Sequence, residues 1–334
     1  MRELSVILMS LILLGGCHKS TELLSGQSAN KQQLQKITVA YTNQPQTALI
    51  HIAMAKGFFV DEGLDVQPLM HTYGKAALQS VIDNRADIAT VAETPIMFSV
   101  LNGAKITVIA DITSSTTDNA ILARKDAGIV SAADLKGKRI AYTPGTTSEF
   151  FLDSLLTANG ITMQDIVTVP LKPDELTAAI LDKKVDAVST WNYLLEQLSQ
   201  QLGQNGRVFY DHDIYTEIYN VVTMKEFTDK NPETIRRFLR ALIKAEKYIV
   251  IHPQESQDIM TADTGTDKNI VHKVWNVFNF HVVLDQMLVI TLEDETRWAM
   301  KNKLTQQTVM PNYLNYINTD SLRSVSPDVV KITR

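Results

Sequence analysis

Four short polar segments sit where a predicted strand gives way to a predicted helix: Tyr41-Thr42-Asn43-Gln44, His71-Thr72-Tyr73-Gly74, Glu93-Thr94-Pro95 and Gly145-Thr146-Thr147-Ser148. Apart from the Glu93 carboxyl, their functional groups are mainly hydroxyls and amides, which hold a ligand by hydrogen bonds but do not by themselves cleave one. Each helix start adds backbone N–H groups without intrahelical partners and about half a positive charge. Loops of this kind can hold a small anion or a polar oxygen between them with no metal and no arginine. Trp191 and Tyr73 offer an apolar or stacking wall, and Asn192 a group that both donates and accepts. Glu93 and Asp118 pull the other way. If both face one cleft, they disfavour a doubly charged anion and favour a neutral, zwitterionic or cationic ligand. Plainer roles stand beside these. Thr94 and Thr146 suit helix caps with or without a ligand, Trp191 suits packing between two halves, Asn43 and Gln44 suit turns, and both acids suit solvated loops.

Other chemistry finds little support. His51, His71, His212, His252, His272 and His281 show neither an HExxH pattern nor paired spacing, so no metal is expected. No Gly-x-Ser-x-Gly elbow occurs, and Gly145-Thr146-Thr147-Ser148 is not followed by the Gly-Lys-Ser/Thr of a phosphate loop. No cofactor is expected. A net charge of −5 argues against a nucleic-acid partner. With 45% hydrophobic and 21% charged residues, the composition is that of an ordinary globular protein, long enough for two lobes.

Cys17 is the only cysteine among 334 residues, so the fold stands without disulfides. It closes an apolar run from Leu4 through Leu14-Gly15-Gly16 that is too short to span a membrane and ends in small residues, as a secretory signal does. The Leu-Gly-Gly-Cys ending resembles a bacterial lipobox. That resemblance implies a signal peptide over 1–16, cleavage before Cys17, and lipid on its sulfur and new amino group. Two or more acyl chains anchor a protein stably to a membrane. Residues 17–36 are polar and read as a flexible tether. The body then lies outside the cytoplasm.

The elements that must position these loops follow from hydrophobic period and punctuation. Strands are predicted at 37–41, 66–70, 88–91 and 106–110, with helices at 47–56 and 74–84 and a third opened by Thr94 as cap and Pro95 as first helical residue. The pattern restarts with strands at 120–123, 139–142, 166–169 and 185–189. A short helix capped by Ser131, with Asp134 three residues on, is expected between the first two of these, a capping box at Thr146–Glu149 opens a helix over 150–159, and further helices are expected at 174–181 and 192–202. Alternation of this kind marks βαβ units on parallel sheets. A helix from Asn231-Pro232 to about 250 carries the stripe Ile235, Phe238, Leu239, Leu242 and Ile243, and helical patterns continue around 254–262, 268–278 and 292–302. These read as a layer over the first lobe. The expected lobes are 37–112 with 215–334, and 113–214, hinged near 111–117 and 204–219.

Five ordered segments resemble the nitrate/sulfonate/taurine-type periplasmic binding proteins of ABC importers, which share a fold with fungal thiamine-pyrimidine synthases. They are Ala55-Lys56-Gly57-Phe58-Phe59-Val60-Asp61-Glu62-Gly63-Leu64; Ala86-Asp87-Ile88-Ala89 with Glu93-Thr94-Pro95; Asp134-Leu135-Lys136-Gly137-Lys138-Arg139-Ile140-Ala141; Val185-Asp186-Ala187-Val188 with Trp191; and Asn231-Pro232-Glu233 with His252-Pro253. The chain departs from the family at Trp191-Asn192-Tyr193, where an acid and a proline often follow the tryptophan. It also lacks the cysteine-rich iron-binding run of the synthase branch. The resemblance implies a two-lobed α/β fold of the type II periplasmic-binding-protein kind, each lobe a mainly parallel sheet with flanking helices and the C-terminal helices packed on lobe 1. It further implies a monomeric solute-binding lipoprotein that passes a small molecule to a permease and ATPase, and not an enzyme. A sensor lipoprotein of the same fold, or an enzyme like the synthases, are the alternatives. Under this reading the ligand residues are Asn43, Gln44, Tyr73, Gly74, Glu93, Thr94, Asp118, Thr146, Thr147, Ser148, Trp191 and Asn192.

Overall fold

The computed structural model describes residues 33–333; the expected signal peptide, Cys17 and most of the tether lie outside the described residues. Strand β1 (Gln35–Thr42) starts two residues earlier than the hydrophobic pattern suggested. The added pair is held by the backbone: Gln35 N donates to Gly63 O at 2.9 Å, and Gln35 lies opposite Leu64. Then follow α1 (Ala48–Ala55), α2 (Phe58–Asp61), β2 (Leu64–His71), α3 (Gly74–Ile82), β3 (Ile88–Ala92), α4 (Glu93–Leu101) and β4 (Ile106–Ser115). Next come β5 (Asn119–Arg124), β6 (Arg139–Tyr142), α5 (Thr147–Ala158), β7 (Val167–Pro170), α6 (Pro173–Leu181), β8 (Ala187–Trp191), α7 (Asn192–Leu202) and β9 (Gly206–Phe209). The remainder is β10 (Glu217–Met224), α8 (Lys225–Lys230), α9 (Pro232–Ile251), α10 (Pro253–Thr264), α11 (Lys268–Trp275), β11 (Asn279–Val283), α12 (Gln286–Lys301) and α13 (Thr319–Val325).

These strands form two sheets, ordered β11-β4-β10-β3-β1-β2 and β7-β6-β8-β5-β9. Both are mixed, where mainly parallel sheets were expected. The first three strands pair in parallel, but β10 runs antiparallel to β3 and β4. The cause is connectivity: β10 arrives from the other sheet and so starts at the end where β3 finishes, with Tyr219 opposite Ala92. In the second sheet β5 arrives the same way and runs antiparallel to β8 and β9. The chain crosses between sheets at 116–118 and 210–216. The first crossing is shorter than expected because β4 keeps pairing with β10 as far as Ser115, opposite Glu217.

The segments that carried the family resemblance are mostly scaffold. Phe59 is buried and stacks on Phe238 of α9 at 5.1 Å, while Glu62 pairs with Arg240 at 2.6 Å and Lys244 at 2.8 Å. Burying one such ring contributes about 1.5–3 kcal/mol. Asp87 accepts from Thr38 N at 2.7 Å, closing the β1–β3 step. Asp134 and Ser131 form the expected capping box, and Asp186 accepts from Arg139 N and side chain at 2.7–3.1 Å, joining two of the quoted segments. The stripe of α9 is buried at Ile235, Phe238, Leu239 and Leu242, and α9 packs on α1 and α2, as α12 does on α4. Helix α11 instead also reaches the second sheet's side, packing Ile270 and Val274, with Phe278 just beyond its end, near Tyr193 of α7. Helix α12 begins six residues before the pattern suggested, because Asp285 caps it by accepting from Met287 N at 3.0 Å.

Candidate functional site

In α/β sheets the ends of parallel strands meet helix starts, and ligands sit in the crevice outside those ends. Here β1, β2, β3, β6 and β8 all bring their carboxyl ends to one crevice between the sheets. Its wall is made by Gln44 and Gln46 after β1, by Tyr73, Gly74 and Lys75 after β2, and by Ala92 and Pro95 after β3. Thr146 and Thr147 come from the second sheet after β6, and Trp191 ends β8. Glu217 and Tyr219 complete it from the start of β10. The crevice is nearly closed by its own side chains, with a free volume of about 20 Å³, room for about one water molecule. A larger hollow lined by Lys225, Asp229 and Asp320 lies at the opposite end of β10, away from the helix starts.

Six of the expected residues therefore meet at one wall: Gln44, Tyr73, Gly74, Thr146, Thr147 and Trp191. Trp191 is 7% exposed, and its indole N–H donates to Thr147 Oγ1 at 2.7 Å, so the ring is fixed by the helix start it faces. Gly74 is required by close approach: a Cβ there would stand 2.7 Å from Tyr219 OH and 3.1 Å from Val91 Cα. Helix α5 does not use the expected capping box. The Thr146 hydroxyl donates to Thr143 O at 2.7 Å, and Glu149 reaches past the cap to accept from Gly145 N at 2.7 Å. Among the described residues, the N–H groups of Thr147 and Ser148 form no hydrogen bond.

The other six do not form the wall, each for a local reason. Asn43 precedes Gln44 in the turn but is not part of the lining. Thr94 lies inside the first turn of α4, which starts at Glu93, and its hydroxyl donates to buried Glu295. Glu93 is fully buried, accepting from the Tyr215 hydroxyl and from Ile218 N at 2.9 Å. Ser148 stitches α5 to β8, accepting from Thr143 N and donating to Ser189 O at 3.0 Å. Asn192 donates to Thr117 O at 2.5 Å and accepts from Tyr210 OH at 3.1 Å, bracing the two crossings. Asp118 sits behind the wall, accepting from Gln46 Nε2 at 2.6 Å.

Residues that sequence reasoning missed give the crevice its electrostatics. Glu217 is buried and accepts from Asn119 Nδ2 at 2.7 Å. Burial, with Asp118 and Glu93 facing it, pushes its carboxyl well above the ordinary range. Burial also pushes Asp118 up to about 6, and raises Glu93 and Glu295, which repel one another. Across the crevice, Lys75 Nζ donates to Pro144 O at 2.8 Å beside Gly145 (φ +67°). A Cβ on Gly145 would stand 2.6 Å from that ammonium. Further ties join the two sheets' helices. Asp153 of α5 accepts from Trp298 Nε1 at 2.7 Å and Asn302 Nδ2 at 2.8 Å, and Lys273 pairs with Glu196 at 2.7 Å. Among the described residues no group of three His, Cys, Asp or Glu is placed to hold a metal ion, and no helix is long and apolar enough to cross a membrane.

Two mixed sheets with strand ends aimed into a shared crevice define the fold of periplasmic binding proteins. The chain superposes on the alkanesulfonate-binding protein of Xanthomonas axonopodis pv. citri bound to MOPS with a TM-score of 0.75 at 16% identity, covering 86% of this chain and 99% of that one. The sequence goes further: the chain belongs to the NMT1/THI5-like family, whose profile matches residues 44–256. It is 27% identical over 281 residues to a Bacillus subtilis protein named for aliphatic sulfonate binding, covering 82% of this chain and 81% of that one. It is also 26% identical over 236 residues to a 4-amino-5-hydroxymethyl-2-methylpyrimidine phosphate synthase of Saccharomyces cerevisiae, covering 65% and 68%.

Proposed function

We propose that this protein captures a small organic solute or oxyanion in the crevice between its sheets, outside the cytoplasm, and delivers it unchanged to the permease and ATPase of an ABC importer. The observation that carries this reading is the convergence of five strand ends and the start of α5 on one crevice lined mainly by hydroxyl, amide and aromatic side chains, with Lys75 and Glu217 beside them. The family and the binding-protein relatives support it. The two sheets act as lobes, 33–115 with 217–333 and 119–209, rotating about the crossings at 116–118 and 210–216. Two narrow crossings permit closure because few residues need absorb the rotation. The body is a monomer held at the membrane by lipid on Cys17. Against catalysis stands the missing cysteine-rich run: with a single cysteine, the chain has no thiol ligands for the iron chemistry of the synthase branch.

Thermal denaturation with candidate solutes tests this. A specific ligand at a hundred times its Kd adds about 2.7 kcal/mol of stability and raises Tm accordingly. No shift with any of sulfonates, nitrate, amino acids and pyrimidines would overturn the proposal. A gene neighbourhood with a permease and ATPase supports import, whereas a neighbouring kinase or cyclase supports a sensor of the same fold.

A further inference from the structure

We infer that the chain carries a second small-molecule site, in a hollow beside β11 and apart from the crevice, and that this site takes a small organic ammonium. The hollow lies where β4, β11, α9 and the residues before α12 meet, and the last residues of the chain close one edge of it. Leu284 N donates to Val329 O at 3.1 Å and Lys331 N to Leu284 O at 2.8 Å, which fixes that edge. The free volume is about 400 Å³, against about 20 Å³ in the crevice. Small-molecule sites run to about 300–1,000 Å³. The two spaces use opposite faces of one strand: Glu217 and Tyr219 line the crevice, and Ile218 between them lines the hollow.

Asp111 gives the hollow its chemistry. It lines this space and is 1% exposed. Its Oδ1 has no hydrogen-bond partner, and its Oδ2 receives only a long bond from Asp285 N, at 3.4 Å. Burial, with Asp285 beside it, pushes the carboxyl well above the ordinary range, and Asp111 in turn raises Glu93 of α4. The protein alone therefore keeps a proton on Asp111. A buried polar atom without a partner costs free energy, and an ionised one costs more. An ammonium removes both costs. It donates to the unpartnered oxygen and supplies the positive charge that lets the carboxyl ionise, and the displaced proton leaves to water. An uncharged donor offers the bond without the charge, and an anion offers neither. The other titratable groups agree. Glu246 of α9 and Asp285 also line the hollow, and neither they nor Asp111 are ion-paired among the described residues. Burial lowers His281 to about 4, so its ring is neutral at pH 7. The cations, Lys331 at the rim and Lys247 next to Glu246, are both exposed. Ile218, Val283 and Met287 offer apolar surface to a short carbon chain.

Isothermal titration of the purified full-length protein at pH 7 tests this with n-butylammonium against 1-butanol, a probe of similar size without the charge. The expected result is that butylammonium binds ten-fold or more tightly than butanol. Repeating the titration in buffers of different ionisation enthalpy should show a proton released on binding. Asp111→Asn keeps the shape of the neutral carboxyl and should weaken butylammonium ten-fold or more and abolish the proton release. Met287→Trp, on a half-exposed side chain at the mouth, should fill the hollow and weaken binding three-fold or more, and it carries the test should Asp111→Asn not fold. Trp191→Ala, which alters the crevice, should leave butylammonium binding unchanged. No binding of butylammonium at millimolar concentration, equal binding of butanol, affinity that survives the substitutions in the hollow, or affinity lost with Trp191→Ala would each overturn the inference. Solute capture in the crevice rests on other residues and stands or falls separately.

Discussion

Asp153→Ala isolates the contact that holds the two halves together on the side of α5 and α12. One carboxylate oxygen accepts from both Trp298 Nε1 and Asn302 Nδ2, at 2.7 and 2.8 Å, and Asp153 is 9% exposed. Trp298 also sits edge-on to Phe98 at 6.0 Å and Phe150 at 5.2 Å, and those contacts survive the substitution. A hydrogen bond to a charged group contributes about 1.5–3 kcal/mol. In an open form all three groups would meet water, so the lower end of that range applies to each bond. Alanine should therefore disfavour the closed arrangement by about 3 kcal/mol, a shift of about a hundred-fold in the closed-to-open ratio. If only the closed form retains solute, the apparent Kd rises as the closed fraction falls. Titration calorimetry reads the affinity, and small-angle scattering of the ligand-free protein reads the opening. Unchanged affinity together with unchanged compactness would refute the assignment of this contact as a closure tie.

Trp191→Ala should weaken solute binding ten-fold or more; unchanged affinity would assign the ring to packing alone. Gly74→Ala forces α3 away from Val91 and Tyr219, and overpacking of this kind costs about 1–3 kcal/mol, visible as a lower urea midpoint with unchanged slope. An unchanged midpoint would contradict the close approach. Folding stability should fall as pH rises from about 4.5 towards neutrality, because Glu93, Glu217 and Glu295 have folded pKa values raised above their unfolded ones and keep protons that the unfolded chain gives up. His281 acts oppositely. Its pKa is lowered to about 4 by burial, so its contribution is complete above about 6.5 and is lost as pH falls towards 4. Glu295→Gln should flatten the acid-side gain, and a profile identical to wild type would count against the buried-acid origin.

Much of the scaffold was legible because it rests on local signals. The alternation of strands and helices, the stripe of α9 and the Ser131–Asp134 capping box all follow from period and spacing over a few residues. The half of the site that was legible, from Gln44 to Trp191, follows from one rule about the ends of parallel strands. Glu217 and Tyr219 escaped that rule because they begin an antiparallel strand. Only the crossing of the chain brings the start of β10 to the end of β3, and nothing local to residues 217–219 announces it. Thr94 and Thr146 carried clear cap signals, yet the first hydroxyl serves the distant Glu295 and the second turns back to the carbonyl of Thr143 three residues earlier. Gln46 and Lys75 lay within reach of sequence reasoning, one or two residues past the loops it singled out.

Native mass spectrometry most directly tests whether the crevice holds a solute without transforming it. The purified protein is mixed with small sulfonates, carboxylates, amines and pyrimidines, and the bound species is isolated and then released. The expected result is one solute per chain, recovered with its mass unchanged. No retained solute, or one released with an altered mass, would contradict capture without chemistry.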